Sequence, residues 1–181
     1  MRQVLLGALV VFVSMSYAAP SSGQQPQPFN TATDVTHADI QAALKKALAE
    51  KITDQTIGFA DVGKGNVSVA FVIRRNNATL SNVGDPLVHD KITEIYYVVS
   101  GSGEQVTGGT IVDPKPQDGK AIGPGTRGTK LEGGRVSKMV AGDIIIIPPG
   151  TVHTWTSVGP DGVDYLIYRF DPEKITSFQK K

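Results

Sequence analysis

The sequence contains no cysteine, one tryptophan and three histidines among its 181 residues. Without cysteine, the chain forms no disulfide, no zinc–thiolate site and no thiol nucleophile, and it carries no lipidated amino-terminal cysteine. Neither sign of charge is in excess, since 18 basic residues face 17 acidic residues. This neutral balance disfavours nucleic acid or an anionic membrane as the main partner.

A long hydrophobic segment is also missing. The apolar run from Val4 to Val13 is too short to span a bilayer comfortably. It follows Arg2 and precedes Ser16 and Ala18, small residues in the pattern that a signal peptidase reads. We therefore predict a cleaved signal peptide over residues 1–18, with an uncleaved anchor or a buried helix as the alternative. The mature protein is then secreted or periplasmic, without stable membrane insertion.

The next segments predict a linker and a helix. Residues 19–34 are rich in Pro, Ser and Gln, and we expect a disordered linker there. Thr36 and Asp39 have the spacing of a capping box, and apolar residues then recur at helical spacing. Residues 35–54 are therefore predicted to form an amphipathic helix that packs on the main domain, residues 55–175.

Beyond the helix, the apolar period changes from 3.6 to 2, which is typical of short strands. The predicted strands are Ile57 to Val62, Val67 to Arg75, Leu87 to His89, Glu94 to Ser100, Glu104 to Val112, Arg135 to Val140, Asp143 to Ile147, Val152 to Ser157 and Asp164 to Phe170. This pattern predicts an all-β domain, a small antiparallel β-barrel or double-sheet jelly roll with one amino-terminal helix. Residues 113–134 read as a long loop, either a lid or, as we favour, a plain surface insertion.

Residues 142–157, GDIIIIPPGTVHTWTS, combine an isoleucine run with a turn and an alternating strand. The run fits a strand buried on both faces. Pro149 and Gly150 suit the centre of a tight turn, which would fold the following strand back beside the isoleucines. His153, Trp155 and Ser157 would then share one face.

A second segment, residues 88–103, reads VHDKITEIYYVVSGSG. Together the two segments resemble the two motifs of the cupin superfamily in order and spacing. The positions that match the family pattern are His89, Glu94 and Gly101 in the first motif and Gly142, Pro148, Gly150 and His153 in the second. The positions that depart from it are Ser81 for a glycine, Leu87 for the first histidine and Ser157 for an asparagine.

The resemblance implies a barrel in which His89 and Glu94 face inward from adjacent strands and His153 reaches in from another hairpin. Two imidazoles and one carboxylate would hold one divalent metal, namely iron, manganese or zinc. With Leu87 in the place of a histidine, a coordination position is left free or the site is too weak to retain metal. Tyr96, Trp155 and Leu87 are predicted to line the ligand pocket, with plain core packing as the alternative for the two aromatic residues.

Two interpretations of function follow from the resemblance. In the first, the protein is an exported cupin that binds a small oxygen-bearing organic ligand on its metal, with dioxygenase or isomerase chemistry. In the second, it is a non-catalytic binding or sensing module whose metal is structural or absent. A homodimer is compatible with both, and the sequence assigns no catalytic residue. Arg74 and Arg75 end a strand, where a solvated position is favoured over an inward turn toward a substrate carboxylate.

Overall fold

The computed structural model describes residues 32–77, 79–81, 83–117, 119 and 122–176. The predicted signal peptide and most of the predicted linker lie outside the described residues. Within the described ranges, no helix has both the length and the apolar character needed to cross a bilayer.

The amino-terminal helix α1 spans His37–Glu50. Thr36 and Asp39 form the predicted capping box, in which the Thr36 hydroxyl accepts from the Asp39 backbone N–H and the Asp39 carboxylate accepts from the Thr36 backbone N–H. The helix ends at Lys51, which takes a left-handed conformation and donates its N–H to the carbonyl of Ala47. This helix covers part of the outer face of the sheet, where Ala43 and Ala47 pack in one apolar cluster with Phe71, Ile73, Leu80 and Leu166.

The described residues contain eleven strands. They are β1 Asp54–Asp61, β2 Asn66–Arg74, β3 Leu87–His89, β4 Thr93–Thr107, β5 Thr110–Val112, β6 Lys115–Gln117, β7 Gly125–Arg127, β8 Lys130–Glu132, β9 Arg135–Val140, β10 Ile144–Ile147 and β11 His153–Asp171. All the described pairings are antiparallel.

The two long strands β4 and β11 organise the sheet. They pair along almost their whole length, from Thr93 opposite Phe170 to Thr107 opposite His153. The other edge of β4 carries β10 and then β9, while the other edge of β11 carries β2 and then β3. Irregular register within the β4–β11 pair accompanies the bending of both strands. The result is a curled, half-barrel antiparallel sheet with one amino-terminal helix, which confirms the predicted cupin-like fold.

Alternation along the strands separates an interior from an exterior. The buried residues that form the interior core are Ala70, Val72, Tyr96, Val98, Met139, Ile147, Trp155, Val158, Val163, Tyr165 and Ile167. Because they lie on both central strands and on their neighbours β2, β9 and β10, the concave face of the sheet encloses them. The functional site described below lies on this same concave face.

Two predictions about the isoleucine segment are wrong. Ile144 and Ile146 are 64% and 63% exposed, so β10 buries one face and not two. The expectation that the strand after the turn lies beside the isoleucines is also wrong. β10 pairs with β4, whereas β11 pairs with β2, β3 and β4. The turn itself is confirmed, since the Thr151 N–H donates to the Pro148 carbonyl and Gly150 has a φ of 75°. The Gly150 N–H donates to the carbonyl of His89, so the turn directs the chain toward β3.

Two further local predictions need correction. The predicted loop 113–134 contains the three-residue strands β6, β7 and β8. The expectation that Ser157 shares a face with His153 and Trp155 is also wrong, because the register shifts between Trp155 and Ser157. Ser157 is exposed, and its hydroxyl donates to the carboxylate of Glu104.

Candidate metal centre

Three strands bring the predicted ligands together on the concave face. His89 ends β3, Glu94 is the second residue of β4, and His153 begins β11. All three side chains are buried, with exposed fractions of 3%, 2% and 1%. One donor atom from each lies within 4.8 Å of the other two. The structure thus assembles the set that the sequence singled out, although β3 and β4 are not hydrogen-bonded neighbours in the described sheet: each pairs with β11.

Both imidazoles approach the same carboxylate. The His89 Nε2 atom lies 3.4 Å from Glu94 Oε1, and the His153 Nε2 atom lies 3.2 Å from Glu94 Oε2. The ring centroids of the two histidines are 5.6 Å apart. Each imidazole therefore addresses a different oxygen of Glu94, and the three side chains converge on one point.

The hydrogen bond of the His153 Nδ1 atom determines whether the Nε2 atom of a neutral ring carries a proton or a lone pair. Nδ1 lies 3.0 Å from the Thr151 carbonyl oxygen, which only accepts hydrogen bonds, so Nδ1 carries the proton that is donated there. In a neutral imidazole, Nε2 then presents a lone pair. This lone pair faces Glu94 Oε2, and Nε2 forms no hydrogen bond with any described residue. Two acceptors that face each other in a buried site call for a cation or a proton between them.

Glu94 is held by two further side chains. The Arg169 Nε atom donates to Glu94 Oε1 at 2.8 Å, and the Tyr96 hydroxyl donates to Oε2 at 2.7 Å. Arg169 lies directly opposite Glu94 in the β4–β11 register. Since each carboxylate oxygen has two lone pairs, either oxygen can accept its hydrogen bond and still bind a metal. Arg169 and Tyr96 therefore orient the Glu94 carboxylate and still leave a lone pair on each of its oxygens for a metal.

Sequence reasoning missed Arg169 and its partner Asp54. Arg169 is buried, and its Nη2 and Nη1 atoms donate to the two carboxylate oxygens of Asp54 at 2.6 and 3.3 Å. Alternation from Tyr165 through Ile167 would have placed Arg169 on the inward face. Strand alternation could therefore have identified Arg169. It could not have identified Asp54, which lies before the predicted start of the first strand.

Burial and neighbouring charges shift the pKa values of Glu94 and Tyr96. Burial by itself raises the pKa of the Glu94 carboxyl, but the charge of Arg169 opposes it most strongly, and this pKa lies well below its usual range. Burial and the negative charge of Glu94 raise the pKa of the Tyr96 hydroxyl well above its usual range. Glu94 is thus an anion at neutral pH, and Tyr96 is a neutral hydrogen-bond donor.

A cavity of about 550 Å³ opens onto the centre. Its lining residues are Thr53, Asp54, Thr56, Arg74, Asp85, Leu87, His89, Glu94, Tyr96, Gln117, Ile122, Arg127, Ile167 and Arg169. Leu87 and Tyr96 line it, whereas Trp155 packs in the interior core with its ring centroid 5.4 Å from that of Tyr165. Arg74 also lines the cavity, against the prediction of a solvated strand end.

The donor set suits a divalent cation. Two imidazole nitrogens and a carboxylate oxygen are ligands used for iron, manganese and zinc alike, and three protein donors leave coordination positions for water or a ligand. The lone pair of His153 that faces Glu94 also fits such a cation, because a metal between them would turn two opposed acceptors into two ligands. These residues fit a metal centre without identifying the metal.

Comparison with known proteins identifies the family. A curled antiparallel sheet with two histidines and a glutamate on its concave face defines a class of small β-barrel proteins with a candidate metal site. The family model described as Cupin matches residues 60–179, which is more than half of the chain. The protein therefore belongs to the cupin family. No curated protein sequence matches the chain significantly.

Solved structures resemble the chain at low sequence identity. A conserved protein with a double-stranded β-helix domain from Klebsiella pneumoniae is 18% identical, with 68% of this chain and 81% of that chain covered and a TM-score of 0.42. A Bacillus halodurans protein is 16% identical, with 83% of this chain and 91% of that chain covered and a TM-score of 0.46. The L-ribose isomerase of Cellulomonas parahominis is 16% identical, with 58% of this chain and 49% of that chain covered and a TM-score of 0.38. The family assignment rests on the family match and not on these similarities.

Proposed function

We propose that the protein is an exported cupin that holds one divalent metal on His89, Glu94 and His153 and binds a small oxygen-bearing organic ligand beside it. The observation that carries the proposal is the buried lone pair of His153 Nε2, which faces a Glu94 oxygen 3.2 Å away. A buried pair of acceptors is unfavourable unless a cation or a proton lies between them, and a divalent metal would satisfy both acceptors. The adjoining cavity gives a small ligand access to His89 and Glu94.

Bound metal would supply Lewis-acid chemistry, or oxygen activation if it is iron. The residues of the chain have separate tasks. Arg169 and Tyr96 hold the Glu94 carboxylate in one orientation, and the Thr151 carbonyl holds the His153 ring. Such outer contacts fix the geometry of ligating side chains. Dioxygenase or isomerase chemistry is proposed for this arrangement, since the open coordination positions would let a ligand oxygen bind directly.

The competing function is a binding or sensing module that works without metal. Two observations favour it: Leu87 stands where the family has its first histidine, and Arg169 already neutralises Glu94. A carboxylate with its own buried cation needs a metal less than an unpaired one does. Both candidate functions use the same cavity, so metal binding is the measurement that separates them.

The test is calorimetric titration of manganese, iron(II) and zinc into chelator-treated protein, with iron(II) kept anaerobic. We expect the parent protein to bind at least one of these ions, and His153→Ala to bind none. His37→Ala is the matched control, because His37 is exposed at the start of α1 and should leave binding unchanged. Affinity should also fall on acidification, since an imidazole must be unprotonated to bind a metal.

Leu87→His sharpens the same experiment. This variant restores the family's missing ligand on a residue that already lines the cavity and pairs with His153 across β3 and β11. Metal binding should therefore tighten. If the parent binds none of the three ions and Leu87→His does not change this, the three residues are a relic of a metal site, and the non-catalytic function is correct.

Export is the part of the proposal that rests on sequence alone. The basic, apolar and small-residue pattern of residues 1–18 supports it. Protein recovered from its native host should be soluble and begin at or near Ala19. An intact Met1 in a membrane fraction would refute export and leave the metal proposal untouched.

A further inference from the structure

The charges around the cavity indicate the chemical class of the ligand. The lining contains three arginines, Arg74, Arg127 and Arg169, and three acids, Asp54, Asp85 and Glu94. These charges cancel in number, but they are not equally available to a ligand, because some of them are already paired with each other.

The charge of Arg169 is already paired with two carboxylates. Its Nε, Nη1 and Nη2 atoms all donate to Glu94 or Asp54. These three buried or partly buried side chains therefore form one closed network with a net charge of −1. A divalent metal on Glu94 and the two histidines would change the charge of this network to +1. A buried positive charge favours an anionic partner in the adjoining cavity.

Of the two cavity arginines that form no salt bridge among the described residues, Arg74 is the less exposed. Its Nη1 atom donates to the backbone carbonyls of Thr53 and Ile73, and no acidic side chain of the described residues forms a salt bridge with it. Its guanidinium carbon lies 5.8 Å from the ring centroid of Tyr165. Burial raises the pKa of Tyr165 to about 12, so this ring is neutral and supports the cation without neutralising it.

Arg127 is a second arginine in the lining of the cavity. Arg127 is exposed on β7 and donates from Nε to the Gln117 side-chain oxygen. Asp85, which is also exposed, adds a charge of the opposite sign to the lining. Solvent screens both of these groups, so Arg74 is the stronger determinant of ligand charge.

We infer that the ligand is a small organic anion whose carboxylate is bound by Arg74 in the cavity that opens onto the His89–Glu94–His153 centre. This inference deepens the proposed function and rests on it for the positive charge of the metal. A guanidinium binds a carboxylate through two parallel N–H donors, and the Nε and Nη2 atoms of Arg74 donate to no other described residue. A cavity of about 550 Å³ suits a molecule of small-metabolite size.

The test compares lactate with lactamide, which have similar size and differ in charge. Each is titrated into manganese-loaded protein, and binding is followed by the relaxation of water protons at the metal and by calorimetry. We expect lactate to bind about 10-fold more tightly than lactamide, as one charge-assisted contact supplies. In Arg74→Gln this preference should fall to about 2-fold or less, while manganese affinity is retained.

Arg75→Gln is the matched control. Arg75 follows Arg74 in the chain, but its Nη1 atom pairs with Asp164 at 2.6 Å and it does not line the cavity. The variant should keep the parent's preference for lactate. Arg74→Lys keeps the charge without the planar pair of donors, so an intermediate preference is expected. Thermal unfolding of each variant shows whether it is folded.

The outcomes separate this inference from the proposed function. If manganese binds and lactate and lactamide bind equally, or if Arg74→Gln and Arg75→Gln behave alike, the anion inference is overturned and the metal proposal stands. If manganese does not bind but Arg74 still selects lactate over lactamide, the metal proposal fails and the ligand class is retained. If neither manganese nor lactate binds, both are wrong.

Discussion

The two ends of the barrel interior differ sharply, although the same two strands build both. Along β4 the inward residues run from Glu94 through Tyr96 to Val98, and along β11 they run from Arg169 to Val163. One end is therefore polar and opens into the cavity, while the other end is apolar. The character of the interior is set by position along a strand and not by which strand supplies the residue.

This comparison shows two ways in which one fold fills its interior. At the apolar end, side chains such as Met139 and Val158 exclude water and need no partner. At the polar end, burial is tolerated because Arg169 pairs with both Glu94 and Asp54. The apolar end should therefore govern stability alone, whereas changes at the polar end should alter stability and binding together.

The largest effect is expected from Arg169→Met. This substitution removes the cation and leaves Glu94 and Asp54 without a partner, so the free energy of unfolding should fall by about 3–5 kcal/mol in metal-free protein at pH 7. Urea denaturation measures the loss. A divalent metal should restore part of it, because the metal would replace the missing positive charge beside Glu94.

Lys174→Met is the matched control for this effect. Lys174 pairs with Asp61 at 2.7 Å, but both side chains are about two-fifths exposed, and such surface pairs contribute little to stability. Equal losses in the two variants would show that the buried network contributes no more to the free energy of unfolding than a surface ion pair does. The contrast between the two ends of the interior would then lose its energetic basis.

A smaller effect is expected from Met139→Ala at the apolar end. Met139 is buried on β9 in the interior core, and truncation leaves a cavity. We expect a loss of about 2–3 kcal/mol, in the lower part of the range for such changes because flexible neighbours partly fill the space. Metal affinity, measured by calorimetry, should stay the same. A parallel change in affinity would mean that the two ends are mechanically coupled.

The smallest effect is expected from Asp171→Asn, which extends the polar end of β11. Asp171 is buried and accepts from the Thr176 hydroxyl and from the backbone N–H groups of Ile175 and Thr176. Burial raises the pKa of Asp171, but these hydrogen bonds outweigh it and hold the pKa below its usual value. The variant should be about 1 kcal/mol less stable at pH 7.

The pH dependence gives this last prediction its sign. Because the native pKa of Asp171 lies below the unfolded value of about 3.9, its stabilising contribution is complete above about pH 5 and is lost as the pH falls through the native pKa. The difference between parent and variant in urea denaturation should therefore be constant from pH 7 to about pH 5 and shrink below about pH 4. A difference that grows on acidification would exclude this role for the carboxylate.

Local features of the fold were predictable from the sequence because short segments encode them. The capping box at Thr36, the turn at Pro149 and Gly150, and the alternation of the long strands are all properties of a few consecutive residues. The partner of β10 and the exposure of Ile144 depend on which strands meet in the sheet. A run of four isoleucines has no alternation of its own, so it could not reveal its exposed face.

The same distinction applies to the site. His89, Glu94 and His153 were identified because their spacing resembles a family pattern, and the structure brings them together. Arg169 and Asp54 match no such pattern, and their contact joins residues from opposite ends of the domain. Strand alternation would have predicted an inward Arg169, but only the paired register of β4 and β11 places it opposite Glu94.

The pairing of β4 with β11 also has a kinetic consequence. Thr93 pairs with Phe170 and Thr107 with His153, so the central pair closes only after a long stretch of chain has been ordered. Such distant contacts are slow to form, whereas the β1–β2 hairpin is local and can form early. Because His153 reaches Glu94 only when β11 docks, the three ligands are complete late in folding. An added metal should therefore slow unfolding and leave the rate of folding almost unchanged.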